Sequence, residues 1–291
     1  MDKDTSFPAN HTLRLGGRLF STDPPLVMGI LNVTPDSFFD GGRYTDGAAL
    51  EGRLEQLAAE GADIIDVGAY SSRPGAEAVA ADEEWRRLDS ALALLRRRLP
   101  DVPVSVDTFR ASIARRAVET YAVEMINDIS GGDLDPEMFD TVARLGVAYV
   151  MMHMQGTPAT MQQDPRYDHV AVDILRIFSR KIARLNELGV TSLVLDPGFG
   201  FGKTVEHNYQ LLQSLRAFRA TGLPLMVGVS RKSMIWKVLN TSPAEALTGT
   251  IVVHTLALLQ GVDILRVHDV RQAHETIRIV RKMMETPLPG I

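Results

Sequence analysis

The feature that most constrains this chain is an alternation repeated eight times. A short apolar or β-branched run is followed by a loop, then by a longer amphipathic segment. The sequence predicts strands at Leu26–Leu31, Asp63–Val67, Val102–Val106, Glu124–Asn127, Ala148–Met152, Ser192–Leu195, Leu225–Val227 and Ile264–Val267. Between them, 48–60 sets Leu50, Leu54, Leu57 and Ala58 on one helical face, and 83–99 does the same with Trp85, Leu88, Leu92 and Leu95. The helical period returns at 112–119, 136–145, 170–188, 206–219, 243–260 and 270–284. Eight strand–loop–helix units in 291 residues predict an α/β fold, a (β/α)8 TIM barrel. An open doubly wound sheet would have to place eight strands without closing. Ahead of the first strand, 12–20 alternates around Gly16-Gly17, a hairpin signature that would plug the N-terminal end of the barrel. No linker or low-complexity tract interrupts the pattern, so one domain is expected over 1–291, with the barrel from 26 to 284.

Composition narrows the partners. A net charge of −5 gives no footprint for nucleic acid, and the basic run Arg96-Arg97-Arg98 reads as a solvated helix face. The chain has no cysteine, which removes disulfides, thiolate nucleophiles and cysteine-held zinc. Residues 1–10 are polar and carry no secretory apolar run, and every apolar stretch is too short to cross a membrane. A cytoplasmic enzyme fits these facts.

In such barrels the chemistry sits where strands end. Here the ends are Asn32, Asp66, Asp107, Asn127 with Asp128, His153, Asp196, Ser230-Arg231-Lys232-Ser233, and Arg266 with His268. One polar strand end reads as a capping device. Eight at one mouth do not, because each unpaired buried polar group costs about 1–3 kcal/mol. Asp107, Asn127 and Asp196 offer acceptors and a donor to the amide-like edge of a neutral heterocycle. Lys232, Arg266 and His268 supply positive charge and, with Asn32, suit a phosphorylated group. The residues alone therefore point to a nitrogen heterocycle carrying an anion.

The loops after the first two strands, 32–42 and 68–76, are long and end in glycine or small residues, which makes them candidate lids or plain surface connections. The run Gly198-Phe199-Gly200-Phe201-Gly202-Lys203-Thr204 imitates a phosphate-binding loop, but Pro197 stands where its first glycine belongs. A tight turn that lets backbone approach a ligand is preferred. His153 is as readily a buried hydrogen-bonding residue as a functional one, and Met151, Met152 and Met154 read as core and pocket lining. No His/Asp cluster has zinc-ligand spacing. No nucleophile–base pair signals covalent acyl chemistry.

Taken together, these segments resemble a known family. Gly29–Phe38 (GILNVTPDSF), Gly61–Gly68 (GADIIDVG) and Ser72–Ala76 (SRPGA) resemble the two signatures of dihydropteroate synthase. The resemblance continues through Ser105–Thr108, Ile126–Gly132, Met152–Gly156, Asp196–Lys203, Ser230–Ser233 and Arg266–Asp269, nearly the whole chain after the hairpin. It implies a (β/α)8 barrel that joins 6-hydroxymethyl-7,8-dihydropterin pyrophosphate to para-aminobenzoate, releasing pyrophosphate with the help of magnesium. By the same resemblance Asp107, Asn127, Asp196 and Lys232 hold the pterin. Asn32, Arg266 and His268 take the pyrophosphate, with Asn32 also a magnesium ligand. Phe38, Ser72, Arg73, Pro74 and Ser233 shape the aminobenzoate pocket, Ser233 at the start of a helix whose N-terminus favours a carboxylate. Asp107, Lys232 and Asn32 are the residues expected to carry catalysis, and a homodimer is expected. The chain departs from the family in having Ala69-Tyr70-Ser71-Ser72 where many members have Gly-Glu-Ser-Thr.

Two other readings share the barrel. A methyltetrahydrofolate–corrinoid methyltransferase has no need of Arg73-Pro74 or of 230–233. A non-catalytic pterin-binding protein would be expected to lose loop residues, whereas Asn32, Asp36, Phe38, Arg73 and Pro74 are intact.

Overall fold

The computed structural model describes residues 11–33, 46–70 and 79–287. Strands β1 (Thr12–Leu15) and β2 (Arg18–Ser21) form an antiparallel hairpin. Gly16 and Gly17, with φ of 54° and 81°, make the two-residue turn that only a pair tolerant of positive φ can close on twisted strands. Leu13 and Leu15 point inward and are fully buried, contributing about 1.5–3 kcal/mol each. They cover the interior residues Leu26, Met28, Ile64, Met125, Val150, Val194, Met226 and Ile264. The hairpin is thus the plug expected from its alternation.

The remaining strands are β3 (Leu26–Asn32), β4 (Ile64–Gly68), β5 (Val104–Asp107), β6 (Met125–Asp128), β7 (Ala148–Met152), β8 (Leu193–Asp196), β9 (Met226–Val227) and β10 (Ile264–Val267). All eight run parallel, in the order β8-β7-β6-β5-β4-β3-β10-β9. The bridge Leu195–Leu225 and the Leu195 N–H to Pro224 carbonyl bond (2.9 Å) join the two ends and close the barrel. Closure buries every strand on both faces, which is why the strands read as continuous apolar runs rather than alternating ones.

Helices α1 (Asp46–Ala59), α2 (Ala81–Arg98), α3 (Ala111–Tyr121), α4 (Met138–Leu145), α5 (Val170–Glu187), α6 (Val205–Gln213), α7 (Ser233–Trp236), α8 (Leu247–Leu259) and α9 (Val270–Glu285) pack outside. The expected helix at 206–219 ends as α6 at Gln213 and continues as a 3-10 turn, Leu215–Thr221. The one expected at 243–260 begins with a 3-10 turn, Pro243–Glu245, whose own Ser242–Glu245 capping box sets it apart from α8. Among the described residues no helix is long and apolar enough to cross a membrane.

Candidate active site

Strand pleating decides which polar strand ends share the mouth. In β4, Asp66 faces the barrel axis between Ile65 and Val67, which face the helices. In β5 Ser105 and Asp107 face in, and in β6 Asn127 does. Arg266 of β10 reaches across to them. Its Nε donates to Asp66 Oδ2 at 2.7 Å and an Nη to Asp107 Oδ2 at 2.9 Å. Asn127 Nδ2 donates to the same Asp66 oxygen at 3.0 Å. One guanidinium therefore neutralises two carboxylates only in part. Among the described residues Asp66 Oδ1 and the hydroxyl of its strand neighbour Ser105 are buried without a partner. A native interior leaves few such groups unsatisfied, and each calls for an explanation.

Asp107 keeps 15% of its side chain exposed at the mouth. Burial pushes its carboxyl up to about 7, against the pull of Arg266 and with the push of Asp66. Asn32 ends β3 beside it. The space above Gly68 is bounded by Asn32 Oδ1 and Asp107 Oδ2, each 3.6 Å from where a Cβ would stand, so a side chain at 68 would occupy the mouth. Across the barrel, Asp196 Oδ1 accepts from the Gly198 amide at 2.8 Å, and burial raises its carboxyl despite Lys232 nearby. Lys232 donates to the Phe199 carbonyl at 2.5 Å and lies 4.6 Å from the centre of the Phe201 ring. Burial brings its ammonium down to about 8, opposed by Asp196. Gly228 leaves the room in which Arg266 and Lys232 approach each other, both within 4 Å of its missing Cβ. Ile129, Met152, Met154 and Met161, joined by Phe109 and Phe201, form an apolar cluster at this end. That combination of polar groups and apolar lining suits a flat heterocycle.

Asn32, Asp107, Asn127, Asp196, Lys232 and Arg266 thus stand together, and the structure corrects the expectation for several neighbours. Asp128 points away from the mouth: it accepts from the Tyr149 hydroxyl (2.7 Å), the Ser130 amide and hydroxyl, and the Gly132 amide, closing the turn after β6. His153 is turned beneath the β8 loop, 3.1 Å from Lys203. Arg231 faces outward in a two-pronged ion pair with Asp269. His268 Nδ1 lies 3.0 Å from the Ser230 hydroxyl, but burial and the Arg266 charge push the ring down to about 4. So placed, the ring favours its neutral form, whereas its residue type alone suggested a positive charge. Ser233 opens α7, a single turn with Lys232 at its N-cap, not the long helix that follows. Phe38, Ser72, Arg73 and Pro74 lie outside the described residues, as do both candidate lids for most of their length.

Sequence reasoning named Asp66 as a strand end without assigning it a role, although a carboxylate inside the apolar run Ile64–Val67 was the available signal. It gave no role to Glu84, which is fully buried in the first turn of α2 and accepts from Thr108 Oγ1 (2.6 Å) and from Arg110. An acidic first turn ordinarily reads as a favourable helix-dipole charge on the surface.

Residues 28–268 match the model of the family described as pterin binding enzyme. The dihydropteroate synthase of Escherichia coli strain K12 is 43% identical over 258 residues, covering 88% of this chain and 90% of that protein. The chain belongs to the dihydropteroate synthase family. Two solved members share its shape as well as its sequence. The Yersinia pestis dihydropteroate synthase, crystallised with a sulfonamide drug complex, superposes with a TM-score of 0.88 at 39% identity, covering 95% of this chain and all of that one. The Xanthomonas albilineans dihydropteroate synthase in complex with 7,8-dihydropteroate does so with a TM-score of 0.84 at 36% identity over 95% of this chain and all of that one. The matched span runs from the interior of β3 to His268, so every described mouth residue from Asn32 to His268 lies inside it.

Proposed function

We propose that this mouth condenses 6-hydroxymethyl-7,8-dihydropterin pyrophosphate with para-aminobenzoate to give 7,8-dihydropteroate and pyrophosphate. The observation that carries the reading is the cluster of Asp66, Asp107, Asn127, Asp196 and Lys232, with unsatisfied buried oxygens facing the mouth of a dihydropteroate synthase barrel. Asn127 and the carboxylates of Asp107 and Asp196 read the donor and acceptor edge of the pterin, and Lys232 donates to a pterin acceptor. Asn32, Arg266 and the neutral His268 receive the pyrophosphate. As the carbon–oxygen bond to pyrophosphate breaks, positive charge develops on the pterin methylene, and the ionised form of Asp107, which Arg266 favours against burial, stabilises it electrostatically. The amine of para-aminobenzoate then forms the carbon–nitrogen bond and loses its proton. Phe38, Ser72, Arg73, Pro74 and Ser233 are assigned to the second substrate.

Among the described residues no three His, Asp or Glu side chains gather to hold a metal on their own. The amide oxygen of Asn32 is a hard donor at the mouth, which fits a magnesium ion shared with substrate phosphate rather than caged by protein. Bound there, magnesium would neutralise charge on the departing pyrophosphate. Exposed apolar residues on α8 (Val252, Leu256, Leu259) and α9 (Ile279, Met283, Met284) support a homodimer. The lack of cysteine supports a cytoplasmic setting.

The deciding experiment supplies the pterin pyrophosphate, para-aminobenzoate and magnesium and measures pyrophosphate and dihydropteroate together, expected in equal amounts. Binding of the pterin without product would leave a non-catalytic pterin-binding protein. Methyl transfer from methyltetrahydrofolate to a corrinoid would replace the reading altogether.

A further inference from the structure

The loop after β8 is held from below by a buried lysine that the reaction scheme leaves unused. Gly198 and Gly202 take φ of 73° and 62°. A Cβ on Gly198 would fall 1.9 Å from the His153 carbonyl oxygen, and one on Gly202 2.7 Å from that of Gln155, so the loop lies hard against the end of β7. Lys203 runs back underneath it and is 3% exposed. Burial brings its amine down to about 7, yet three acceptors meet the three N–H groups of the ammonium form: the Gly198 carbonyl at 2.8 Å, the Phe201 carbonyl at 3.0 Å and His153 Nδ1 at 3.1 Å. Burial and the two lysines Lys203 and Lys181 hold His153 well below the usual imidazole range, and the neutral ring accepts from Lys203 in the tautomer with its proton on Nε2. A lysine so fully engaged has nothing left for a phosphate, which settles why the phosphate-loop imitation is only an imitation.

The tied segment is the one that touches the mouth. Between the two carbonyls bonded to Lys203 stands Phe199, whose own carbonyl receives the Lys232 ammonium. The Phe201 ring lies beside the same ammonium. The Gly198 amide, at the start of the segment, bonds the Asp196 carboxylate.

We propose that Lys203 is a positioning residue for the transferase reaction: by tying the Gly198 and Phe201 carbonyls to His153, it sets where the Lys232 ammonium stands in the mouth. The claim rests on the reading that Lys232 holds the pterin. Lys203 touches neither substrate and acts through the loop alone.

The test is a double-mutant cycle on binding of the pterin pyrophosphate, measured by calorimetric titration without para-aminobenzoate, with thermal unfolding followed on the same samples. Losing a buried hydrogen-bond network that orients Lys232 should weaken binding by about tenfold in Lys203→Met. Lys232→Met should weaken it by at least as much. The double variant should bind no worse than Lys232→Met alone, because the first change acts through the second residue. Losses that multiply in the double variant would assign Lys203 a merely structural role and overturn the proposal, as would binding by Lys203→Met within about twofold of the parent. Unaltered binding in Lys232→Met would overturn the pterin assignment and the proposal with it. If Lys203→Met does not unfold cooperatively, Lys203→Gln, which keeps an amide donor in the same place, enters the cycle and the same outcomes decide.

Discussion

Both ends of this barrel carry buried or half-buried carboxylates, and they are partnered in different ways. At the closed end Asp63, Glu124 and Asp263 each precede a strand and each accept from a backbone amide of a neighbouring strand, those of Val27, Val104 and Leu225, all at 2.8 Å. Their remaining partners are fixed too. Arg96 bonds Glu124, while Thr22 and His11 of the hairpin region bond Asp263. At the mouth, Asp66 and Asp107 are bonded to other side chains, Arg266 and Asn127, and among the described residues Asp66 Oδ1 has no partner. A carboxylate taken up by backbone amides and fixed neighbours, as at the closed end, serves the fold. A carboxylate tied to side chains with capacity left over is available to a ligand.

The contrast can be broken most directly at Lys232 and Asp107. Replacing either by Ala should lower kcat/KM by about a thousandfold while the unfolding midpoint moves little, since a preorganised charge is removed without opening the core. Unchanged turnover in either variant would refute the site. Asp66→Asn should cost about a hundredfold, because Arg266 loses the negative charge that aims it and an amide NH2 is put among donors. A crystal structure of that variant with both side chains unmoved and full activity would reduce Asp66 to a fold residue.

The pH profile sharpens the same point. Burial pushes Asp107 up to about 7 and brings Lys232 down to about 8. The roles proposed for them need the first ionised and the second protonated. The value of kcat/KM should therefore rise as pH increases through about 7 and fall as it passes about 8, with limbs that belong to the cluster rather than to single residues. A profile flat across that interval would separate these groups from the chemistry.

Asp263→Ala at the closed end should do the reverse of the mouth variants. It strands the Leu225 amide and takes one acceptor from Thr22 and His11, and should lower stability by about 2–3 kcal/mol, read by denaturant unfolding, with kcat/KM unchanged. The smallest expected effect lies at Tyr70, where the chain leaves its family's pattern. Its ring meets Phe109 edge-on with centroids 5.3 Å apart and lies under Arg110. Tyr70→Ala should raise the KM for para-aminobenzoate by about two- to tenfold, the worth of one aromatic pair. An unchanged KM would place Tyr70 outside that pocket.

Much of this was legible in the residues. The eight strands were visible because parallel strands buried on both faces need continuous apolar runs, and the hairpin because Gly16-Gly17 interrupts a clean alternation. Asn127 was readable as a mouth residue from its place in β6, and the same period of two should have turned Asp128 outward. His153, Arg231 and Lys203 were not separable from the mouth residues by their types. Whether a basic side chain faces a ligand or a carbonyl depends on loops that meet only after folding.

By itself the sequence determined the barrel, the hairpin plug, the family and the set of polar strand ends, because periodicity and residue type act locally along the chain. Only the tertiary structure decided that Arg266 bridges Asp66 and Asp107, that His268 is neutral, and that Lys203 lies under the loop rather than over a phosphate. Those outcomes depend on burial and on neighbours brought together across 159 and 200 residues, in the case of Arg266, and no local pattern encodes them.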